Sequence, residues 1–332
     1  MTDQEPPPLP DDRPRAGTVR SRLMLEVASE LVGRADWPDR QARIDLRPQG
    51  PGAFPLRLFA SDGPDAVVEV LDGTTTFAIL NPATALRSAE RRAGGDDDLA
   101  VVTTVPSYDQ MGFAVRADLG LGRLDDLAEV RPALRVSLRA QRNHAVHLVV
   151  DDVLAAVGTS LDDLVAWGGS VQYVEGIPHR GDRAATMAAG EFDAVFDEGI
   201  YNWTPHATEA GLRFLDLGDE ALERLAAQGY RRSWLRRERF PDLPADVATV
   251  DFSGFVVYTR RDTDPGLVRA FCEALEARRG SIPWQGGPEL PLERMCVDAL
   301  DAPTPLPLHP AAETFWRERG LLAGDRDREV GP

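Results

Sequence analysis

The sequence contains no lysine, and all 37 of its basic residues are arginine. Against them stand 54 acidic residues, which give a formal net charge of −17. A chain of this charge is repelled by nucleic-acid phosphates and by anionic membrane surfaces. The composition therefore predicts that nucleic acid is not a partner.

Long apolar runs are also missing, because no segment reaches the roughly 18 apolar residues that span a bilayer. We therefore expect no direct membrane insertion. The only cysteines are Cys272 and Cys296; two thiols require no oxidising compartment, and whether they pair is left open. His144 and His147 could share a helix face, but the glutamate of zinc hydrolase motifs does not lie between them. We expect neither a metal nor a cofactor.

The first residues offer no basic segment followed by an apolar one, as a signal peptide would. Residues 1–16 are rich in proline and acids and are predicted to be a disordered tail, as are residues 323–332. As the sequence stands, it predicts a cytoplasmic protein. A start further upstream that carries a signal peptide would instead place the protein in the periplasm or outside the cell.

The segment 187–203 is the most informative part of the chain. A helix stops at Gly190, and Phe192–Phe196 follows as a short buried strand. The strand leads into Asp197, Glu198, Tyr201, Asn202 and Trp203, which we predict to lie in a loop. Acids, an amide and aromatics at the carboxyl end of a parallel strand are typical of a ligand crevice in an α/β sheet. A polar loop with a packed tryptophan is the alternative interpretation.

The same order of elements occurs earlier in the chain. Residues 66–71 are predicted to form a helix, Gly73 ends it, and the strand Thr76–Leu80 leads into Asn81. A further core strand, Leu99–Val105, precedes Tyr108. Two such units, one in each half of the chain, predict two similar lobes with a shared cleft.

This pattern of helix, glycine and Asp-Ala-x-Phe resembles the type II periplasmic-binding-protein fold, in particular the TAXI solute receptors of TRAP-type transporters. Three further stretches, at residues 124–138, 240–250 and 308–320, resemble that family in order and spacing. The resemblance covers about residues 55–321. It implies a two-lobed α/β fold in which each lobe is a mainly parallel sheet flanked by helices.

The implied lobes are residues 17–112 with 251–322, and residues 113–250. Receptors of this kind begin with a strand, but here a predicted helix over 19–32 follows a proline-rich tail that cannot form one. Either the first strand is missing or another segment supplies it. A run of four arginines between Arg231 and Arg237 is interpreted as the basic face of a helix.

The loop Ser137–His144 lies between a predicted strand and a predicted helix over 145–157. A helix amino terminus attracts anions, and an arginine matches a carboxylate, so Arg139 is the preferred anion contact. The alternative is that the loop's arginines lie on the surface and that Ser137 or Asn143 caps the helix. The predicted ligand-binding residues are Ser61, Asn81, Tyr108, Ser137, Arg139, Asn143, His144, Asp197, Glu198, Tyr201 and Trp203.

The resemblance implies a solute-binding protein that closes around a small carboxylate-bearing ligand, with a TRAP-type permease as a membrane partner. Acids at Asp197 and Glu198 opposite Arg139 favour a zwitterionic, amino-acid-like solute over a plain dicarboxylate. The alternative is that Asp197 or Glu198 pairs with an internal arginine and that the site takes simple acids. The second hypothesis is a cytoplasmic enzyme on the same fold, of the decarboxylase or cofactor-biosynthesis type. His144 is its one assembled acid–base candidate. The effector lobe of a transcription regulator would need a helix-turn-helix that the sequence lacks.

Overall fold

The computed structural model describes residues 16–34, 41–47, 55–61 and 63–322. The chain forms two compact units, Met1–Gln41 and Ala42–Pro332. The helix α1 (Ala16–Gly33) belongs to the first unit, and all other elements belong to the second. The predicted tails lie outside the described residues, apart from Ala16. None of the described helices is both long and apolar enough to cross a membrane.

The second unit contains twelve strands and eleven α-helices among its described residues. The strands are β1 (Ala42–Leu46), β2 (Leu56–Ala60), β3 (Phe77–Leu80), β4 (Leu99–Val105), β5 (Gly112–Arg116), β6 (Arg135–Arg139), β7 (Ser170–Val174), β8 (Ala194–Asp197), β9 (Leu212–Phe214), β10 (Arg232–Leu235), β11 (Val247–Val250) and β12 (Phe255–Arg260). The helices are α2 (Asp65–Leu71), α3 (Leu86–Arg92), α4 (Leu127–Val130), α5 (Ala145–Ala156), α6 (Leu161–Ala166), α7 (Gly181–Ala188), α8 (Ile200–Glu209), α9 (Asp219–Gln228), α10 (Pro265–Arg278), α11 (Leu292–Met295) and α12 (Pro310–Glu318).

Two five-stranded sheets organise this unit. The first has the order β1-β2-β3-β12-β4 and the second the order β7-β6-β8-β5-β9. In each sheet one strand, β12 or β5, runs antiparallel to both of its neighbours. The chain leaves the first sheet after β4, enters the second at β5 and returns at β12. The α/β architecture with two helix-flanked sheets is thereby confirmed, whereas the exact lobe boundaries stay a prediction.

The first sheet answers the question of its missing strand. No described strand precedes α1, yet β2 fills an interior position between β1 and β3 and runs parallel to β3. The helix α2 connects β2 to β3, as parallel neighbours require. If another segment supplies the first strand, as one of the two predictions has it, this position assigns that role to Leu56–Ala60.

The two predicted helix–glycine–strand units are both present. The helix α2 leads into β3, and α7 leads through Gly190 into β8. Each of these strands lies beside the antiparallel strand of its sheet, β12 or β5. The polar residues that follow the two strands consequently occupy corresponding positions in the two sheets.

Two local predictions were wrong. The basic run is not a helix, because Arg232–Leu235 form the strand β10, which pairs with β11. Tyr201 and Trp203 lie in helix α8 instead of a loop. That helix begins after Gly199, and its buried residues Ile200, Trp203, Thr204 and Ala207 have helical spacing.

The second sheet packs tightly against α8 at Gly112, the first residue of β5. A Cβ atom placed there would lie 2.3 Å from Cδ1 of Ile200 and 2.9 Å from atoms of Phe214 and Trp203. These contacts are backed by a buried cluster in which the rings of Trp203 and Phe214 lie 4.9 Å apart. Only glycine allows β5 and α8 to approach this closely.

We predict that Gly112→Ala lowers the free energy of unfolding by roughly 1–3 kcal/mol, because an extra methyl group overpacks this contact. Urea unfolding with an unchanged m-value is the measurement. Gly280→Ala is the matched control, since its Cβ would meet nothing closer than 3.6 Å. Equal stability of the two variants would contradict the packing described.

Candidate functional site

The neighbouring parallel strands β6 and β8 end in Arg139 and Asp197. Their register pairs Val136 with Ala194 and Ser137 with Val195, so both carboxyl ends lie at one edge of the second sheet. Nη2 of Arg139 donates to Oδ1 of Asp197 over 2.7 Å and also to Oε1 of Glu198. Three predicted residues are therefore brought together, but as partners of one another.

A second arginine, Arg183 of α7, completes this group. It is fully buried, and its Nη1 donates to Oδ2 of Asp197. Its Nε donates to Oγ of Ser137 over 3.0 Å. Asp197 thus has a guanidinium on each carboxylate oxygen and no exposed surface. We call Arg139, Arg183, Asp197 and Glu198 the ion cluster.

The ion cluster keeps Asp197 charged inside the protein. Burial alone would raise the pKa of Asp197, but Arg183 and Arg139 outweigh it and hold that pKa below its ordinary value. Removal of one partner from a buried ion pair typically costs about 3–5 kcal/mol, because the other charge is left uncompensated. The cluster therefore fixes the ends of β6 and β8 relative to each other.

A carboxyl pair adjoins the ion cluster. Asp109 lies in the connection between β4 and β5, and its Oδ2 accepts a 2.8 Å hydrogen bond from the backbone N–H of Gly199. Burial and the negative charge of Glu198 raise the pKa of Asp109 well above its ordinary value. Burial also raises the pKa of Glu198, although Arg139 opposes it. The side chains of Asp109 and Glu198 interact with each other, and this interaction contributes to the shift of both pKa values.

Three carboxyl groups thus meet two guanidiniums in this region. If all were ionised, one negative charge would be unbalanced. Protonation of Asp109 or Glu198 would remove that charge, since two adjacent buried carboxylates cannot both ionise without a large cost.

His144 presents a donor that has no suitable acceptor. Its Nδ1 accepts from the backbone N–H of Val146 over 3.1 Å and so caps helix α5. Burial, together with the nearby charge of Arg139, lowers the pKa of His144 to about 3, so the ring is neutral at pH 7. A neutral imidazole whose Nδ1 accepts must carry its proton on Nε2.

In this tautomer the proton on Nε2 faces another donor, because Nε2 of His144 lies 3.0 Å from Nη1 of Arg139. A guanidinium cannot accept a hydrogen bond. Nε of Arg139 is also buried and has no hydrogen-bond partner among the described residues. Arg139 and His144 therefore form a donor pair, which an oxygen atom with lone pairs would satisfy.

An open cavity of about 370 Å³ lies at His144. It is lined by Pro64 and Asp65 at the start of α2, by Arg92 of α3, and by Asn143 and His144 before α5, whereas Arg139 is not among the lining residues. Elements attached to both sheets thus border it. The turn before α2 touches the loop before α5 directly, since a Cβ on Gly63 would lie 1.6 Å from the carbonyl oxygen of Asn143.

The remaining predicted residues have local partners. Ser61 donates to Oδ1 of Asp65, and its Oγ accepts from the N–H of Gly63, so it shapes the turn that meets Asn143. Asn81 donates to the carbonyl oxygens of Phe252 and Gly254. It therefore ties β3 to the segment that returns to the first sheet.

Ser137 and Trp203 are fully buried, and Nε1 of Trp203 donates to the carbonyl oxygen of Glu198 over 2.8 Å. The side chain of Asp197 likewise has no exposed surface, so these three residues hold neighbouring groups in place. Direct contact of a solute with them stays a prediction. Tyr108 and Tyr201 are at least partly exposed.

Arg183, Asp109 and the exposed Arg239, which contacts the rings of Tyr108 and Tyr201, were not predicted from the sequence. Arg183 has a sequence signal, since it shares the buried side of α7 with Met187 four residues later. An arginine in an apolar stripe needs a buried acidic partner. Asp109 and Arg239 have no such signal, because their partners are distant in sequence.

Comparison with known proteins yields matches among solved structures alone. No protein-family model and no curated protein matches the chain. The alkanesulfonate-binding protein SsuA from Xanthomonas axonopodis pv. citri, bound to MOPS, has 17% identity and a TM-score of 0.29, with 65% of this chain and 62% of that chain covered.

XAC2383 from Xanthomonas citri, bound to ATP, has 16% identity and a TM-score of 0.40, with 82% and 86% covered. The ATP phosphoribosyl transferase complex (HisG:HisZ) from Thermotoga maritima has 13% identity and a TM-score of 0.33, with 81% and 94% covered. These likenesses assign neither a ligand nor a reaction to this chain. The two-sheet α/β architecture rests on the strand order of the structure itself, and the narrower TAXI resemblance stays a prediction.

Asp251 lies where the two connections between the sheets run side by side, and it forms an isolated antiparallel bridge with Gln110. It is fully buried, and neither carboxylate oxygen is in hydrogen-bonding geometry with a described group. Burial raises the pKa of Asp251 to about 7, and Ser253 and Arg231 nearby offset only part of this. The folded protein therefore resists ionisation of Asp251.

We predict that Asp251→Asn is more stable than the parent at pH 8 and that this advantage shrinks toward pH 4. An unfolded aspartate ionises near pH 4, so the folded state holds more protons between about pH 4 and 7 and the parent loses stability as pH rises. Urea unfolding at several pH values measures the difference. Asp242→Asn, at an exposed position, is the control. A difference that does not vary with pH would refute the role of Asp251.

Proposed function

We propose that this chain is a solute-binding protein that closes two lobes, residues 17–112 with 251–322 and residues 113–250, around a small carboxylate-bearing ligand. One observation carries the proposal: His144, which contacts Arg139, lines an open cavity between elements of both sheets. The cavity volume is within the range of roughly 300–1,000 Å³ that is usual for small-molecule sites.

A carboxylate fits the donor pair for a simple electrostatic reason. One of its oxygens would accept from Nη1 of Arg139 and from Nε2 of His144, and so relieve the contact between two donors. The amino terminus of the twelve-residue helix α5 lies at the same place and favours negative charge. A charge-assisted hydrogen bond of this kind contributes about 1.5–3 kcal/mol.

The adjacent carboxyl pair favours an amino-acid-like solute. Asp109 and Glu198 would receive an ammonium group in place of a proton, whereas a dicarboxylate would face their negative charge. On the sequence resemblance alone, we extend the proposal to uptake or sensing with a TRAP-type permease.

An enzyme on the same fold is the second candidate, and one observation favours it. Raised carboxyl pKa values such as those of Asp109 and Glu198 often mark catalytic acids. His144 is a poor acid–base group at neutral pH, since its pKa is about 3. Mass spectrometry of a bound solute after long incubation separates the candidates, because a receptor returns the solute unchanged.

The proposal predicts that zwitterionic amino acids, in a thermal-shift screen against dicarboxylates and simple amines, stabilise the protein most. Binding of the strongest stabiliser is then compared by calorimetry with that of His144→Asn. Asparagine keeps a helix cap but cannot reach Arg139, so we expect roughly tenfold weaker binding.

The matched control is His309→Asn. His309 caps helix α12 in the same way, through Nδ1 and the N–H of Ala311, and it lines no part of the cavity. This variant should bind as the parent does. Stabilisation by dicarboxylates alone, or unchanged affinity in His144→Asn, would overturn the proposal.

A further inference from the structure

An exposed guanidinium covers two of the tyrosines near the carboxyl pair. Cζ of Arg239 lies 4.3 Å from the ring centroid of Tyr108 and 4.7 Å from that of Tyr201. Tyr108 precedes β5, whereas Tyr201 is in the first turn of α8. One arginine therefore contacts aromatic rings from two separate segments.

The tyrosine rings are the contacts that hold this guanidinium. Within the described part of the chain, Arg239 forms no ion pair and no side-chain hydrogen bond. The arginines of the ion cluster, in contrast, each contact a carboxylate. Cation–π attraction is therefore the interaction that places Arg239 over Tyr108 and Tyr201.

The two rings are tied to the carboxyl pair through the backbone. Tyr108 is adjacent to Asp109, and Tyr201 comes two residues after Gly199, whose N–H donates to Asp109. Phe240 is buried beside Tyr201, with ring centroids 5.0 Å apart, and anchors the loop that carries Arg239. The aromatic faces thus belong to the same region as Asp109 and Glu198.

We propose that Tyr108 and Tyr201 form a subsite for an organic cation, a guanidinium or substituted ammonium group of the solute, and that Arg239 occupies this subsite in the absence of solute. The inference rests on the proposed solute-binding function and names the chemical class that its second pole accepts. The guanidinium of Arg239 contacts the two rings in the way that the cationic group of the solute would.

The surrounding charges favour a cation over an anion at these rings. The face of a tyrosine ring carries partial negative charge, which attracts cations. Of the carboxyl groups of Asp109, Asp197 and Glu198, only two are balanced by the guanidiniums of Arg139 and Arg183. A cation bound near Asp109 would stabilise the ionised form of the third carboxyl group, whereas an anionic group would not.

Arg239 must leave the rings before a cation from outside can bind there. Removal of its side chain should therefore strengthen the binding of a small organic cation. The cation then no longer competes with the two exposed cation–π contacts of Arg239, which corresponds to a roughly fivefold or greater increase in its affinity. Replacement of the neighbouring exposed Arg237, which contacts neither ring, should leave the affinity unchanged.

The test uses the full chain with ¹³C-labelled tyrosine rings and tetramethylammonium chloride as the probe. Ring signals of Tyr108 and Tyr201 are assigned from Tyr108→Phe and Tyr201→Phe, among the five tyrosines of the chain. The parent, Arg239→Ala and Arg237→Ala are titrated, with sodium chloride at equal ionic strength as the reference. The half-saturation concentration for the two ring signals is compared among the three proteins.

We expect saturable shifts of both rings in Arg239→Ala, at a concentration at least about fivefold lower than in the parent or in Arg237→Ala. Absence of saturable shifts in Arg239→Ala, or equal half-saturation in all three proteins, would overturn the inference. Tetramethylammonium carries no carboxylate, so this result does not depend on the donor pair of Arg139 and His144. A failed amino-acid screen with a positive cation titration would reject the proposed function alone.

Discussion

The buried salt bridge of Asp197 with Arg139 and Arg183 is the interaction on which the candidate site depends. It joins the ends of β6 and β8 to helix α7 and leaves Asp197 charged without access to water. Because Arg139 is held by carboxylates, its Nη1 is fixed at 3.0 Å from His144. Arg139 also holds Glu198, whose side chain interacts with Asp109. This interaction favours a proton on one of the two carboxyl groups. Donor pair and carboxyl pair are thus two consequences of one buried ion cluster.

The candidate site consequently has two sides that favour opposite charges. On one side two donors face each other without an acceptor, and on the other an acidic pair holds a proton that a cation could replace. An oxygen atom of the solute would accept from the two donors. A cationic group of the solute would replace the proton of the acidic pair. Binding energy in such a site comes from groups that are already in place, which limits the ordering cost of association. The aromatic subsite under Arg239 extends the acidic side toward solvent.

Local sequence order was sufficient to predict the sheet edge that carries the site. Arg139, Asp197 and Glu198 were found because polar residues directly follow apolar strands. Their pairing was not found, since Arg183 comes from another helix and charge partners are set by tertiary packing.

The helical position of Trp203 could have been read from the spacing of Ile200, Trp203 and Ala207. The strand Arg232–Leu235 also shows alternating burial, although its arginines suggested a helix face. Arg239 meets its tyrosines through contacts that no local pattern encodes.

The protonation of the His144 ring tests the central claim most directly. Long-range ¹H–¹⁵N spectra of the histidine rings at pH 7, with His144→Asn to assign the signals, report which nitrogen carries the proton. The account predicts a neutral His144 ring with its proton on Nε2, facing Arg139, and an unprotonated Nδ1 that accepts from Val146. A proton on Nδ1 would contradict it, because Nε2 could then accept from Arg139 and no donor pair would exist. A doubly protonated ring would also contradict it, because the ring would then be charged.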